Sequence, residues 1–486
     1  MNYSIAKNLL GKILIIIAIL MVLPLIVAIC YQEKLLNMFA FLIPMVVLFG
    51  IGFLLNIKKA KDTRMSARDG FIIVGLTWIL MSLCGAIPLM ISGEVPNFFD
   101  AFFEMSSGFT TTGASVIPDI TKISHSILFW RSLSHWIGGM GILVFILAFI
   151  PESNEGSAVH ILRAESPGPQ AGKLVSKMKV TSRILYLIYI TLTIILILLL
   201  WIGPDKKMEF FNSVIYALGT AGTGGFSMDA SGLDGYSSYS QYVIAIFMLL
   251  FGVNFSIFYL ILIGSWKEVF KNEELKAYFI IVVASVLIVS VNIYSIYQNI
   301  ETSFRQALFQ VASIISTTGY SSANFDTWPT MSKIILIFVM VTGACAGSTA
   351  GGVKIIRIII VIKSTLRKIK NMVSPRKVEI IKVDGKPLNE SVIDSVQSYI
   401  VVYIIIFLLC SLLISIDNFD LVSNLTASLT CLSNVGPGLG IVGPHGSFAD
   451  FSWFSKFILS LEMIAGRLEL FPLLILFSPR AWTRRS

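Results

Sequence analysis

Apolar residues gather in ten blocks, near 10–30, 36–57, 71–92, 127–150, 183–203, 240–265, 276–298, 333–363, 397–416 and 453–478. A helix needs about 20 apolar residues to cross the hydrocarbon layer of a bilayer, and each block is at or near that length. The pattern predicts an all-α polytopic membrane protein with about ten crossings. Four shorter apolar stretches lie between blocks, at 98–112, 210–222, 304–317 and 421–433. Each is too short to span and ends in small and hydroxyl residues, which predicts helices that enter the membrane and stop inside it.

The four short stretches are copies of one unit. Phe-Thr-Thr-Thr-Gly-Ala-Ser (109–115) aligns with Ala-Gly-Thr-Gly-Gly-Phe-Ser (221–227), with Ile-Ser-Thr-Thr-Gly-Tyr-Ser (315–321) and with Leu-Ser-Asn-Val-Gly-Pro-Gly (432–438). The register extends upstream: Ala101, Ser213, Ala307 and Asn424 share one position, and Phe103, Ile215, Phe309 and Thr426 another. Each repeat reads spanning helix, re-entrant helix, glycine turn, spanning helix.

A lone Gly/Ser/Thr-rich stretch in a membrane helix is a close-packing surface; four in register point to one shared pathway. A dehydrated cation in a membrane needs oxygens in place of water, and four strands around an axis present rings of backbone carbonyls. Aiming successive carbonyls at an axis requires positive φ, where glycine is the low-strain residue. The negative C-terminal end of each short helix adds attraction. The candidate filter residues are Thr111, Thr112 and Gly113; Thr223, Gly224 and Gly225; Thr317, Thr318 and Gly319; and Asn434, Val435 and Gly436.

Composition agrees with a membrane protein: of 486 residues 55% are hydrophobic and 13% charged, with mean hydropathy +0.82. The net charge of +9 is unevenly spread. Basic residues cluster at Lys58–Arg68, at Arg163–Arg183, at Lys363–Lys386 and at the C-terminus (Arg480, Arg484, Arg485), while the alternate loops carry Asp100, Glu104, Asp119, Asp205, Glu209, Asp229, Asp234, Asp417, Asp420 and Asp450. This is the positive-inside alternation, and it predicts both termini in the cytosol. The basic excess thus sets orientation and implies no nucleic-acid partner, although the 363–386 cluster can meet anionic headgroups. Cys30, Cys84, Cys345, Cys410 and Cys431 are dispersed and read as buried thiols, and the four histidines are too scattered for a metal site. Lys7 and Lys12 before an apolar run resemble a signal peptide, but a small-residue cleavage pattern is missing and a second apolar run follows, which predicts retained helices.

Two further features invite a role. Gly343, Gly347, Gly351 and Gly352 interrupt an apolar span with Ser348 and Thr349 among them and Lys354 following; such spacing weakens a helix. A tight helix crossing accounts for it, whereas a Walker loop does not, because Val353 separates Gly352 from Lys354. Arg467 stands mid-span with Glu462 and Glu469 nearby. It either bridges helices or sits in the pathway below the filter, where its charge repels cations. Arg131 and His135 are assigned to orienting the loop in preference to a proton relay, and Asp100 and Glu104 either concentrate cations at the mouth or are solvated.

These motifs, with Phe-Trp-Arg-Ser-Leu-Ser-His-Trp-Ile-Gly-Gly-Met-Gly (129–141), Gly-Ala-Cys-Ala-Gly-Ser-Thr-Ala-Gly-Gly-Val-Lys-Ile-Ile-Arg (343–357) and Ala-Gly-Arg-Leu-Glu-Leu-Phe (465–471), give a chain that resembles the Trk/Ktr/HKT superfamily of cation transporters, in its TrkH-type bacterial branch, over nearly its whole length. The resemblance implies two extra N-terminal helices (1–70) and four pore repeats (71–182, 183–274, 275–396, 397–486). It implies uptake of potassium ions, bound at the filter, across the bacterial inner membrane. It also implies a gate at 343–354 and Arg467 below the filter, a homodimer, and a TrkA-like cytosolic nucleotide-binding regulatory subunit. Potassium is the substrate and no other cofactor is implied. Gly113 matters because related sodium-preferring plant transporters carry serine there. The first loop follows its glycine with Ala114 and the fourth with Pro437, and the fourth has Asn434 and Val435 in place of hydroxyl residues. A sodium-permeable or ion-coupled relative therefore stays open, as does a secondary carrier for a small solute. No clustered acid, base and nucleophile appears, so an enzyme is not expected.

Overall fold

The structure, a computed structural model, describes residues 3–58, 66–141, 178–229, 231–375 and 379–482. Lys59, Lys61, Arg64, Arg163, Lys173, Lys177, Arg376, Lys377, Arg484 and Arg485 of the basic clusters lie outside these residues, as does the inner part of the expected 127–150 crossing.

Side-chain caps set where helices start. Ser66 and Asp69 form a capping box that opens α4 (Ala67–Ile91). Three of the four re-entrant helices open on an Asn or Asp: Asn97 caps α5 (Phe98–Phe109), Asn299 caps α13 (Ile300–Ile315) and Asp420 caps α17 (Leu421–Ser433). Hydrogen bonds from Ser423 hold the Asp420 carboxyl below the usual carboxylate range, so it stays charged at the positive helix end. The second re-entrant helix, α8 (Phe210–Gly222), follows Glu209 without a side-chain cap.

Ahead of the repeats, α1 (Tyr3–Leu20) and α2 (Val22–Cys30) turn back on α3 (Leu35–Asn56). Gly11 and Gly52 face each other there so closely that a Cβ on Gly52 would lie 2.7 Å from the Gly11 carbonyl oxygen, a small-residue crossing of membrane helices. Repeat one is α4, α5 and α6 (His125–Met140). Repeat two is α7 (Met178–Ile202), α8, α9 (Ser238–Phe251) and α10 (Phe255–Leu262), followed by the short α11 (Trp266–Lys271). Repeat three is α12 (Glu273–Tyr297), α13, α14 (Thr330–Thr342) and α15 (Ile355–Val373). Repeat four is α16 (Glu390–Ile414), α17, α18 (Trp453–Arg467) and α19 (Phe471–Leu476). Between α15 and α16 a hairpin pairs β1 (Lys382–Val383) antiparallel with β2 (Lys386–Pro387), Lys382 opposite Pro387; Asp384 and Gly385 make its turn with φ of 51° and 76°.

Among the described residues six helical stretches have the length and apolarity of a span, and α9 with α10 makes a seventh, bent by 92°. Their outer faces stay apolar and exposed, as at Ile280 (67%), Val291 (78%) and Leu412 (70%), which suits contact with lipid chains and not water. Cys30 is exposed on this surface, contrary to the buried thiol expected, while Cys84, Cys345 and Cys431 are buried.

Three expected crossings are not continuous helices. The 240–265 block breaks at 252–254, where the Gly252 carbonyl accepts from Cys345 N–H and Phe255 N–H donates to the Gly347 carbonyl. The 333–363 block opens into a loop from Gly343 to Lys354, and the 453–478 block breaks where Glu469 and Leu470 take φ of 54° and 72°. Each break gives its unpaired backbone groups a partner inside the protein, which makes irregular backbone tolerable at membrane depth.

Candidate functional site

All four re-entrant helices end in the same way. The residue two before each repeat glycine is left-handed: Thr111 (φ 59°), Thr223 (56°), Thr317 (55°) and Asn434 (56°). Its N–H bonds the carbonyl three residues back, and the next N–H bonds the carbonyl five back: Thr112 to Ser107, Gly224 to Gly219, Thr318 to Ser313 and Val435 to Thr430. This is the Schellman termination, whose left-handed position normally holds glycine or asparagine. Three threonines hold it here, although a β-branched residue is strained in that region. The chain then turns outward through Gly113 (φ 81°), Gly225 (82°), Gly319 (85°) and Gly436 (102°).

The glycines also close a ring. A Cβ on Gly113 would lie 2.1 Å from the Gly224 carbonyl oxygen, on Gly225 2.1 Å from that of Thr318, on Gly319 2.0 Å from that of Val435, and on Gly436 2.6 Å from that of Thr112. Each loop therefore leans on the next, and the fourth returns to the first. The oxygens of Thr112, Gly224, Thr318 and Val435 form one circle of carbonyls, an arrangement that can replace a cation's water. Above it a cavity opens whose floor is the four glycines and whose walls include Ser115, Ser227 and Ser321.

Loops one and three face each other across this circle, and they alone share a hydroxyl pair: Thr110 Oγ1 to Thr112 Oγ1 at 2.8 Å and Ser316 Oγ to Thr318 Oγ1 at 2.6 Å. Loops two and four carry Gly224 and Val435 instead. The backbone is fourfold, and the side-chain chemistry is closer to twofold. Asn434 is tied down on both sides, its Nδ2 donating to Thr112 Oγ1 (3.0 Å) and to the Met463 carbonyl (2.9 Å).

A buried polar brace supports the seam of loops one and two. Arg131 and Glu104 pair at 2.7 Å with both side chains out of solvent. Glu104 also accepts from Val116 N–H (2.9 Å) and Ser115 Oγ (3.0 Å), just past Gly113. The Arg131 guanidinium lies 4.0 Å from the Phe226 ring centroid. Phe226 N–H donates to His135 Nε2 (3.3 Å), so His135 Nδ1 carries the proton it donates to the Gly108 carbonyl (2.8 Å). Arg131 and His135 thus orient loops one and two together. Glu104 is neither at the mouth nor solvated: the pairing with Arg131 draws it inward, and Asp100 pairs with Lys456 at 2.7 Å.

Below the ring the loop from Gly343 to Lys354 touches the ends of the third and fourth re-entrant helices. Gly351 N–H donates to Thr317 Oγ1 (2.6 Å), and a Cβ on Gly351 would sit 2.4 Å from the Ser433 carbonyl. Gly343, Gly347, Gly352 and Lys354 take φ of 64°, 74°, 74° and 77°. Ser348 Oγ closes a turn on the Cys345 carbonyl (2.6 Å), Thr349 Oγ1 donates to the Phe251 carbonyl (3.2 Å), and the Lys354 ammonium donates to the Ala350 carbonyl. Arg467 reaches across, donating to the carbonyls of Thr349 (2.7 Å), Gly138 (2.5 Å) and Gly139 (2.6 Å). One guanidinium therefore joins the third repeat's loop to the end of α6 in the first. Glu469 pairs with Arg357, and Glu462 Oε1 lies within hydrogen-bond reach of Ser428 Oγ.

Two residues that hold this loop were not among the candidates. Glu274 Oε1 accepts from Ala346 N–H (2.8 Å) and Ile356 N–H (3.1 Å), and Asn254 packs against Gly347. An acid buried in the first turn of an apolar span was the readable signal for Glu274. Asn254 offered only a cap-like side chain before Phe255.

The profile of the TrkH family, described as cation transport protein, matches residues 37–484. The chain is 33% identical over 490 residues to the Trk system potassium uptake protein TrkH of Salmonella typhimurium, covering 99% of this chain and 100% of that protein. It is 30% identical over 465 residues to the Trk system potassium uptake protein TrkG of Escherichia coli, covering 94% of each. The crystal structure of the potassium transporter TrkH from Vibrio parahaemolyticus matches with a TM-score of 0.87 at 31% identity, over 99% of this chain and 100% of that one.

Proposed function

This chain belongs to the TrkH family of cation transport proteins, and on that premise we propose that it takes up potassium across the bacterial inner membrane through its ring of four loops. The observation that carries the proposal is the closed circle, in which each repeat glycine packs on the carbonyl before the next. Carbonyl rings coordinate a cation without adding charge.

The loop from Gly343 to Lys354, together with Arg467, is the gate. Contact with Thr317 and Ser433 supports this, as does a guanidinium charge below a cation pathway, which opposes cation passage until it moves. Regulation by a TrkA-like cytosolic nucleotide-binding subunit and assembly as a homodimer are assigned on the family resemblance. Both termini are assigned to the cytosol on the positive-inside pattern.

A second reading, a filter that also admits sodium, draws on the absence of a hydroxyl at Gly224 and Val435. Reversal potentials of the reconstituted protein under potassium, sodium and pH gradients separate the two and report any coupling. The expected outcome is a potassium-selective current, with growth restored at low potassium in a bacterium lacking its own uptake systems. No potassium or rubidium flux, with or without the nucleotide-binding partner, would overturn the proposal.

A further inference from the structure

Behind the fourth re-entrant helix lies an acid that neither the filter nor the gate uses. Glu462, on α18, is 2% exposed and faces α16 and α17. Its Oε1 lies 2.6 Å from Ser428 Oγ on α17, and the same hydroxyl lies 3.3 Å from the Phe407 carbonyl on α16. Among the described residues its Oε2 has no nitrogen or oxygen partner, and the Cys410 thiol of α16 is its one weak hydrogen-bonding neighbour besides Ser428. The titratable groups around it are Cys410 and Tyr403 of α16 and Cys431 of α17, all uncharged in their ordinary state. Among the described residues no lysine or arginine forms an ion pair with it.

The hydrogen-bond count decides the protonation state. A serine hydroxyl has one proton and so can donate to only one of two acceptors. As a carboxylate, Glu462 would compete with the Phe407 carbonyl for that proton and be held otherwise only by the weak donor of the Cys410 thiol, an anion in a membrane interior, which is costly. As a carboxylic acid it donates from Oε1 to Ser428 Oγ, and Ser428 passes its own proton to the Phe407 carbonyl. Both contacts are then hydrogen bonds and no charge is buried.

We propose that Glu462 is an intramembrane proton-binding site whose bound proton ties α18 and α16 to the fourth re-entrant helix. The bond has a target in the filter. Met463, the next residue, accepts from Asn434, and Tyr403 bonds Ser433, the residue before Asn434 (2.7 Å). The protonated acid thereby fixes the helix that sets the fourth loop's height in the ring. This second part rests on the filter reading above; the proton itself does not.

Infrared difference spectra of the reconstituted full chain, wild type minus Glu462→Gln, test the proton directly. A protonated-carboxyl band is expected at neutral pH, where an exposed glutamate retains less than about 1% of it. Absence of the band would overturn the site whatever the protein transports. The tie to the filter is tested by the potassium-over-sodium permeability ratio. Glu462→Leu and Ser428→Ala, each removing one partner, are expected to lower it several-fold, while Glu462→Gln, whose amide donates to Ser428 in the same way, keeps most of it. Ser428→Ala also serves if the leucine variant fails to fold. Equal ratios across all of these would overturn the tie, while a band in a protein with no potassium flux would count only against the filter.

Discussion

At Thr111, Thr223 and Thr317 a β-branched side chain is held in the left-handed region, at a cost of about 1–3 kcal/mol each. The reward is a helix end that stops abruptly and sends its next carbonyl to the axis. Thr223→Gly should therefore raise the protein's unfolding midpoint, by about 1 kcal/mol of stability after glycine's own entropy cost, while weakening ion discrimination; thermal unfolding in detergent beside reversal potentials reads both. The glycines behave oppositely. Gly113→Ala and Gly319→Ala place a methyl on a carbonyl about 2 Å away, so the next loop must move. A potassium-over-sodium ratio reduced about tenfold or more corresponds to about 1.4 kcal/mol. An unchanged ratio in both variants would remove these residues from the pathway.

Elements show why some features were legible and others were not. The repeated glycine motif carries its own backbone requirement, so the four loops could be read from residue order. The breaks at 252–254 and 468–470 carry contacts between neighbouring repeats, Gly252 with Cys345 and Glu469 with Arg357, which local hydropathy does not encode. Glu104 shows the same limit: its place beside acidic outer loops suggested solvent, and only Arg131 from the following helix explains its burial. Removing one member of such a pair leaves the other charge buried and costs about 3–5 kcal/mol. Arg131→Met should thus destabilise strongly, and the double variant Glu104→Met with Arg131→Met should recover part of the loss, as thermal unfolding would register. At the proposed gate, Arg467→Ala deletes the guanidinium that bonds Thr349, Gly138 and Gly139. Rubidium uptake without the nucleotide-binding partner should rise several-fold; a fall with normal expression would make Arg467 a structural strut only.

For the whole molecule, charge alternation assigns the sides of the membrane before any helix is packed. The proposed topology puts Lys122, which lies beside Asp119, outside, and Lys370, near the end of α15, inside. In a cysteine-free background Lys122→Cys should react with an impermeant maleimide in intact cells, and Lys370→Cys only after permeabilisation; the reverse pattern would invert the assigned topology. The ring has a further consequence for how such a protein can change over generations. A pore assembled from four copies of one short chain receives every substitution four times over. Here a single gene writes each quarter separately, so one loop can be altered while its three neighbours keep the circle closed. Val435 and Pro437 stand where Thr318 and Tyr320 stand in the third quarter: the fourth loop departs from the glycine-and-threonine pattern that the other three share.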